Sequence, residues 1–153
     1  MAVLSGGAIR QVGSIDEVFS RPVDVDVAAA VGVEAVLPGQ VVADEDGLVT
    51  VRVGDADIRA VRGDGASGSV FVCIRAEDVM LETSARDGAS ARNRWTGDIV
   101  SVQHEGAVVR VGVNCGFALT ALLTRPAYDE LQLAPGKPVT AVVKATAVHL
   151  IAR

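Results

Sequence analysis

The sequence predicts a mostly β protein built from two small Greek-key barrels in tandem, with one short helix in the second barrel. Hydrophobic residues make up 50% of the 153-residue chain, and aromatic residues only 3%. Val, Ala, Ile and Leu must therefore fill the core. This valine-rich composition, together with 16 glycines, favours short strands joined by tight turns. A repeated order of segments indicates two similar units.

The repeat consists of three strand-like segments in each half of the main body. They are residues 38–42, 51–54 and 74–81 in the first half, and residues 96–100, 109–112 and 143–150 in the second. Gly39 and Gly97 are 58 positions apart (97 − 39), as are Gly54 and Gly112 (112 − 54). Arg75 and Lys144 are 69 apart (144 − 75), which predicts an insertion of eleven residues (69 − 58) in the second half.

The predicted insertion reads as a short helix. Thr124 suits a helix cap, Pro126 suits the first turn, and acidic residues follow early. Gly136 then ends the segment. The first half has only a glycine-rich turn over residues 63–68 at this place.

Alternating valines predict half-buried antiparallel strands. The triplets are Val49, Val51 and Val53; Val109, Val111 and Val113; and Val139, Ala141 and Val143. Four or five such strands per unit suggest barrels of the oligonucleotide/oligosaccharide-binding (OB) type. We expect a leading segment over residues 1–30, a first barrel over 31–86 and a second over 87–153, joined at residues 87–89.

Charge and composition exclude several classes of function. The 14 basic and 19 acidic residues give a net charge of −5, which argues against a nucleic-acid partner. Any anion site must therefore be local. No apolar run approaches the roughly 20 residues of a membrane span, and no signal peptide is recognisable. Cys73 and Cys115 read as buried free thiols of a reducing cytoplasm, and no zinc-type spacing involves them.

Two tetrapeptides carry the strongest functional signal. They are Ser90-Ala91-Arg92-Asn93 and Lys144-Ala145-Thr146-Ala147. Each sets a cation beside hydroxyls and small residues, and small residues leave backbone N–H groups accessible. This chemistry holds a small anion without a metal cation.

The two tetrapeptides together resemble the molbindin (MOP) family of molybdate- and tungstate-binding domains. The resemblance implies that Ser90 supplies a hydroxyl, Arg92 a guanidinium, Lys144 an ammonium and Ala145 a backbone N–H, with Thr124 as a further contact. Ala91 and Asn93 complete the first motif. It also implies molybdate or tungstate as the bound ligand and a site between subunits, hence a homo-oligomer, with a dimer as first choice. Ala127 stands where family members often carry a further hydroxyl.

The first thirty residues resemble the end of the nucleotide-binding domain of an ABC transporter. The matching residues are Gly7, Ile9, Gln11, Gly13, Glu17, Val18, Phe19, Arg21 and Pro22. Ser14 can cap a helix, with Glu17 three residues on. The resemblance implies a regulatory region of a molybdate-type import ATPase, which meets the permease at the cytoplasmic face of the membrane. The chain has no G-x-x-x-x-G-K-[ST] phosphate loop, so we expect no enzyme activity from it alone.

Other interpretations remain open at this point. The barrels could form a TOBE-type dimerisation or interaction domain of another importer, with no small-anion site. A free storage molbindin is disfavoured by the ATPase-like start. Arg92 could pair with Asp98, and Lys144 could be a solvated residue on an edge strand. The first half has Arg75 where the second has Lys144, followed by Glu77 and Asp78, so we expect it to be structural or a weaker site.

Overall fold

The computed structural model describes residues 1–84 and 87–153. The leading segment contains β1 (Ala2–Ser5), β2 (Ala8–Val12), α1 (Ile15–Ser20) and α2 (Val25–Ala30). The first half contains β3 (Ala35–Glu45), β4 (Leu48–Val53), β5 (Ala56–Val61), β6 (Ser69–Ile74), a 3-10 turn (Ala76–Asp78) and β7 (Met80–Glu82). The second contains β8 (Asn93–Glu105), β9 (Val108–Asn114), β10 (Ala118–Thr124), α3 (Arg125–Glu130), β11 (Pro138–Val143), a 3-10 turn (Ala145–Ala147) and β12 (His149–Ala152).

Two five-stranded sheets form the body of the molecule. Their strand orders are β12-β6-β3-β4-β5 and β10-β9-β8-β11-β7, and β1 and β2 form a separate hairpin. Each large sheet curls into an OB-like half-barrel, which confirms the predicted fold class. Helix α3 lies in the second unit only, and residues 63–68 form turns and irregular backbone, as predicted.

Each sheet takes one edge strand from the other half of the chain. Strand β7 pairs antiparallel with β11, with Leu81 opposite Ala141. Strand β12 pairs antiparallel with β6, with Leu150 opposite Val72. The two sheets are therefore interlocked by a reciprocal strand exchange that the repeat alone does not indicate. The domain limits 31–86 and 87–153 stay predictions, and Arg86 at the boundary lies outside the described residues.

The register corrects one part of the predicted repeat. Val41 pairs with Val51, and Ile99 pairs with Val113. Because Val41 and Ile99 are 58 positions apart (99 − 41), the counterpart of Val51 is Val113, which is 62 positions on (113 − 51). The predicted equivalence of Gly54 with Gly112 is therefore wrong.

A close approach at two glycines supports the same register. A Cβ on Gly39 would lie 3.0 Å from the carbonyl oxygen of Arg52, and a Cβ on Gly97 would lie 2.4 Å from that of Asn114. Arg52 and Asn114 are also 62 positions apart (114 − 52). Both glycines are thus needed where β3 and β8 cross the neighbouring backbone.

The extra residues of the second half fall in two places. Four of these residues lengthen the β8–β9 hairpin, because the number of positions between corresponding residues of the two halves rises there from 58 to 62. Ile58 pairs with Val51, and Leu119 pairs with Val113, so one residue is lost before β10, where the spacing is 61 (119 − 58). Eight more surround α3, because the spacing is 69 from β6 to β11.

The predicted alternation is confirmed, and it builds one core from both sheets. All nine residues of the three triplets are buried. The core cluster runs from Val51 and Ile58 of the first sheet to Val111 and Ala141 of the second. Because this apolar cluster is continuous, residues of each barrel help to bury core residues of the other.

The leading segment packs on the first sheet through a second apolar cluster that includes Val18, Val27, Cys73 and Ile151. Helix α1 begins as predicted, with the Ser14 hydroxyl accepting from the Glu17 N–H at 3.2 Å. Helix α2, capped by Asp24, was not indicated by the sequence analysis. No helix in the two described ranges is long and apolar enough to cross a membrane.

Both cysteines are free thiols, as predicted. Burial raises the pKa of Cys73 to about 12 and that of Cys115 to about 11. Each side chain therefore stays a protonated, unreactive thiol at neutral pH. Cys73 is buried, whereas Cys115 is only half-buried.

We predict that Leu150→Ala destabilises both barrels together. Leu150 is only 6% exposed and belongs to the shared core. Its truncation costs about 2–5 kcal/mol. Urea unfolding should show one transition, shifted equally by far-UV circular dichroism and by the fluorescence of Trp95, the only tryptophan. Ala152→Ser, at an exposed position of the same strand, should change stability by less than about 0.5 kcal/mol. A Trp95 transition that stays unchanged would contradict mutual dependence.

Candidate functional site

The fold brings the two predicted motifs side by side at one end of the β8–β11 pair. Asn93, the first residue of β8, pairs with Val143, the last residue of β11. In an antiparallel pair the next positions outward also face each other. Arg92 and Lys144 occupy those positions, and both are exposed. Two cations that lie 52 positions apart in the chain (144 − 92) thus flank one point of the surface.

Neither cation is engaged by a partner in the described part of the chain. No ion pair or side-chain hydrogen bond of Arg92 or Lys144 is formed there, so the pairing of Arg92 with Asp98 does not occur. Many other cations have partners. Those in ion pairs are Arg10, Arg52, Arg62, Arg75, Arg94 and Arg110. Arg92 and Lys144 are therefore available to an external anion.

The backbone after Lys144 adds amide donors. Lys144 is extended (ψ 141°) and leads into the 3-10 turn. The Ala147 N–H donates to the Lys144 carbonyl at 3.0 Å, and the Val148 N–H to the Ala145 carbonyl at 3.3 Å. The first N–H groups of a helical turn, here those of Ala145 and Thr146, have no intrahelical acceptor. The side chain of Ala145 is only a buried methyl group, so it does not cover these N–H groups.

Asn93 faces the protein interior rather than the surface. It is 2% exposed. Its Oδ1 accepts from the Arg59 N–H at 2.7 Å, and its Nδ2 donates to the Arg59 carbonyl at 2.8 Å. The Trp95 indole N–H donates to the Asp57 carbonyl at 3.1 Å. Direct contact of Asn93 with an anion stays a prediction, whereas the structure shows it joining the start of β8 to β5. No sequence signal identified Arg59 as its partner.

Thr124 lies apart from the other predicted site residues. It pairs with Val108, which pairs with Glu105 at the far end of β8 from Asn93. Its Oγ1 caps α3 by accepting from the Ala127 N–H at 3.3 Å. Ser90, by contrast, precedes Arg92 on the exposed surface, and Ala91 between them is half-buried. Within one chain the structure therefore groups Ser90, Arg92, Lys144 and Ala145, but not Thr124.

The corresponding place in the first half is already occupied. The Arg75 guanidinium forms an ion pair with Glu77 and donates from Nη1 to the Phe19 carbonyl at 3.1 Å. Burial and the nearby charge of Glu77 raise the pKa of Asp78 above its usual value. The surroundings of Arg75 are acidic, unlike those of Lys144.

Residues 89–150 match the family model described as the TOBE domain. The matched segment begins just before β8, ends within β12 and contains both cation motifs.

Two curated relatives match almost the whole chain. The molybdate/tungstate import ATP-binding protein WtpC of Pyrococcus abyssi is 29% identical over 98% of this chain and 42% of its own length. The protein of the same name from Pyrococcus horikoshii is 33% identical over 98% of this chain and 41% of its own length. The chain thus spans about two fifths of these relatives, and matches their C-terminal regulatory region.

One solved structure is similar to most of the chain. It is the cytoplasmic molybdate-binding protein ModG with molybdate bound. The TM-score is 0.71 at 27% identity, over 79% of this chain and 97% of that chain.

We predict that Asn93→Ala destabilises the protein by about 1–3 kcal/mol, because the Arg59 N–H and C=O both lose their partner. Denaturant unfolding is the measurement. Thr96→Ala, at an exposed position of the same strand, is the matched control and should have little effect. Equal stability of the two variants would show that the Asn93–Arg59 contact contributes nothing.

Proposed function

We propose that the chain binds a tetrahedral oxyanion of the molybdate or tungstate class and serves as a regulatory region of an importer ATPase. The observation that carries the proposal is the placement of Arg92 and Lys144 at adjacent exposed positions without ionic partners. The Ser90 hydroxyl and the Ala145 N–H stand next to them in the chain. The match to molybdate/tungstate importer relatives supports the choice of anion.

The donor set is adequate for a useful affinity. Each charge-assisted hydrogen bond contributes roughly 1.5–3 kcal/mol, and a micromolar site needs about 8 kcal/mol in total. A few such bonds suffice, with no metal cation as cofactor. Because the chain carries a net charge of −5, these local donors must offset a repulsive overall field.

We further propose that a second copy of the chain completes the site. Thr124 lies at the opposite end of β8 from Arg92, so its hydroxyl is available only to a site built by a neighbouring molecule. A homodimer is the simplest assembly in which each copy supplies what the other lacks.

The proposed place of action follows from the relatives. We propose that the parent protein is an ABC importer ATPase at the cytoplasmic face of the membrane, in contact with its permease. The bound anion would report the internal supply of the transported oxyanion. The chain itself carries no phosphate loop, so it would sense rather than hydrolyse.

We predict that Arg92→Ala and Lys144→Ala each weaken molybdate binding by about tenfold to a hundredfold, since each removes a charged donor worth about 1.5–3 kcal/mol. Isothermal titration calorimetry with sodium molybdate, sodium tungstate and sodium sulfate is the measurement. Arg21→Ala removes another exposed arginine that has no ionic partner among residues 1–84 and 87–153, and it should leave the affinity unchanged.

The titration also separates the proposal from its alternative. Unchanged affinity in both variants would refute the assignment of these residues. No heat with molybdate or tungstate in the unmodified protein would favour a TOBE-type interaction domain with no small-anion site. Binding that persists in a monomeric form would refute the contribution of a second copy.

We predict no ATP hydrolysis by the purified chain, because it lacks a phosphate loop. Phosphate release should stay at the level of a buffer blank with magnesium and ATP present. Saturable, magnesium-dependent turnover would contradict this prediction.

A further inference from the structure

The two halves correspond position by position, which locates the counterpart of the anion motifs in the first half. Val143 pairs with Asn93 as Ile74 pairs with Ala35. The residues just outside these pairs therefore correspond as well. The counterparts, second half first, are Ser90 and Gly32, Arg92 and Glu34, Lys144 and Arg75, and Thr146 and Glu77.

In the first half, an acidic residue replaces one of the two cations of the second-half site. Glu34 stands at the place of Arg92 and forms an ion pair with Arg110 of β9. The counterpart of Arg110 in the first half is Leu48, 62 positions earlier (110 − 48), which offers Arg92 no ionic partner. The same location is thus neutralised in the first half and left positive in the second.

The remaining first-half cation, Arg75, is engaged by groups of its own chain. Oε1 of Glu77 accepts from Nε of Arg75 at 2.8 Å and also from Nη2. Nη1 donates to the Phe19 carbonyl, and the guanidinium lies 5.3 Å from the centroid of the Phe19 ring. A carboxylate oxygen that accepts two N–H groups of one guanidinium makes the same kind of charge-assisted contact as one oxygen of a tetrahedral oxyanion would make.

We propose that the first half contains a masked oxyanion position, in which the Glu77 carboxylate occupies the place of an external anion on Arg75, so that the chain takes up one anion and not two. The proposal rests on the proposed function, because the second-half arrangement serves as its template. The masking has two parts: Glu34, paired with Arg110, stands where the second half has a cation, and Glu77 binds the Arg75 guanidinium. The Thr124 counterpart is Gly63, 61 positions earlier (124 − 63), so the position also lacks that hydroxyl.

The test exchanges the two masking residues for their second-half counterparts. The double variant Glu34→Arg with Glu77→Thr should bind a second molybdate per chain in calorimetry, about tenfold or more weaker than the first because a hydroxyl donor is missing. Asp55→Arg with Glu45→Thr changes the net charge equally at exposed positions of the first half, and it should keep the stoichiometry of the unmodified protein.

The stoichiometries distinguish failure of this inference from failure of the proposed function. Two anions per unmodified chain would overturn the masking, and so would a folded double variant that binds no more than the control. The same double variant is also made with Lys144→Ala. One more molybdate per chain in this triple variant than in Lys144→Ala alone supports the masked position independently of the second-half site. No binding by the unmodified chain but binding by the double variant would refute the proposed function alone.

A measurement on the unmodified protein covers the case in which the double variant does not fold. The Nε–H signal of Arg75 should be visible and slow to exchange in nitrogen-15 NMR, because Glu77 holds it, and molybdate should leave it unmoved. The Arg92 Nε–H signal should shift on titration. A shift of the Arg75 signal equal to that of Arg92 would overturn the masking.

Discussion

The reciprocal exchange of β7 and β12 is the constraint on which the rest of the structure depends. Each half supplies the last strand of the other half's sheet, so neither sheet is complete without both halves. The 3-10 turn before each exchanged strand is thereby placed at the boundary between the barrels. Lys144 leads into the second of these turns, to which Ala145 and Thr146 belong. The β8–β11 pairing brings Arg92 and Lys144 together, and the exchange fixes where the chain leads after Lys144.

A second link between the halves positions Arg92. Strand β5 is the edge of the first sheet, and an exposed edge presents unpaired N–H and C=O groups. Asn93 and Trp95 of β8 satisfy three of these groups, at Asp57 and Arg59. The side chains of one barrel thus complete the edge of the other. Asn93, next to Arg92, is held by β11 through its backbone and by β5 through its side chain, which limits the backbone freedom that anion binding must remove at Arg92.

Much of the fold could be predicted because it depends on local signals. The alternating valines predicted buried strand faces, and Thr124 with Pro126 predicted α3. The error in the repeat has a physical cause: side chains alternate with period two, so a shift of four residues between Val109 and Val113 leaves the pattern unchanged. Only the cross-strand pairing shows that Val113, and not Val109, is the counterpart of Val51. The strand exchange was equally hidden, since the three residues of β7 carry no information about which sheet they join.

The candidate site was predictable in its residue types and less so in its arrangement. The two cation motifs were identified, and β8–β11 pairing places them together. The inward direction of Asn93 was not predictable, because its partner is the backbone of a distant strand. The correspondence of Arg92 with Glu34 keeps the predicted spacing of 58 (92 − 34), whereas the corrected register was needed to identify Leu48 as the counterpart of Arg110, the ionic partner of Glu34.

The exchanged strand also has a consequence for the order of synthesis. On the ribosome, residues 35–74 emerge well before residues 149–152. The outer edge of β6 therefore stays unpaired until β12 has emerged and pairs with it. Cys73 and its partner His149 are 76 positions apart (149 − 73), and contacts of such separation form slowly. During that interval β6 is an open edge next to apolar residues, available to any other nascent chain. Translation speed over the second half therefore sets how long the first barrel is vulnerable to mispairing.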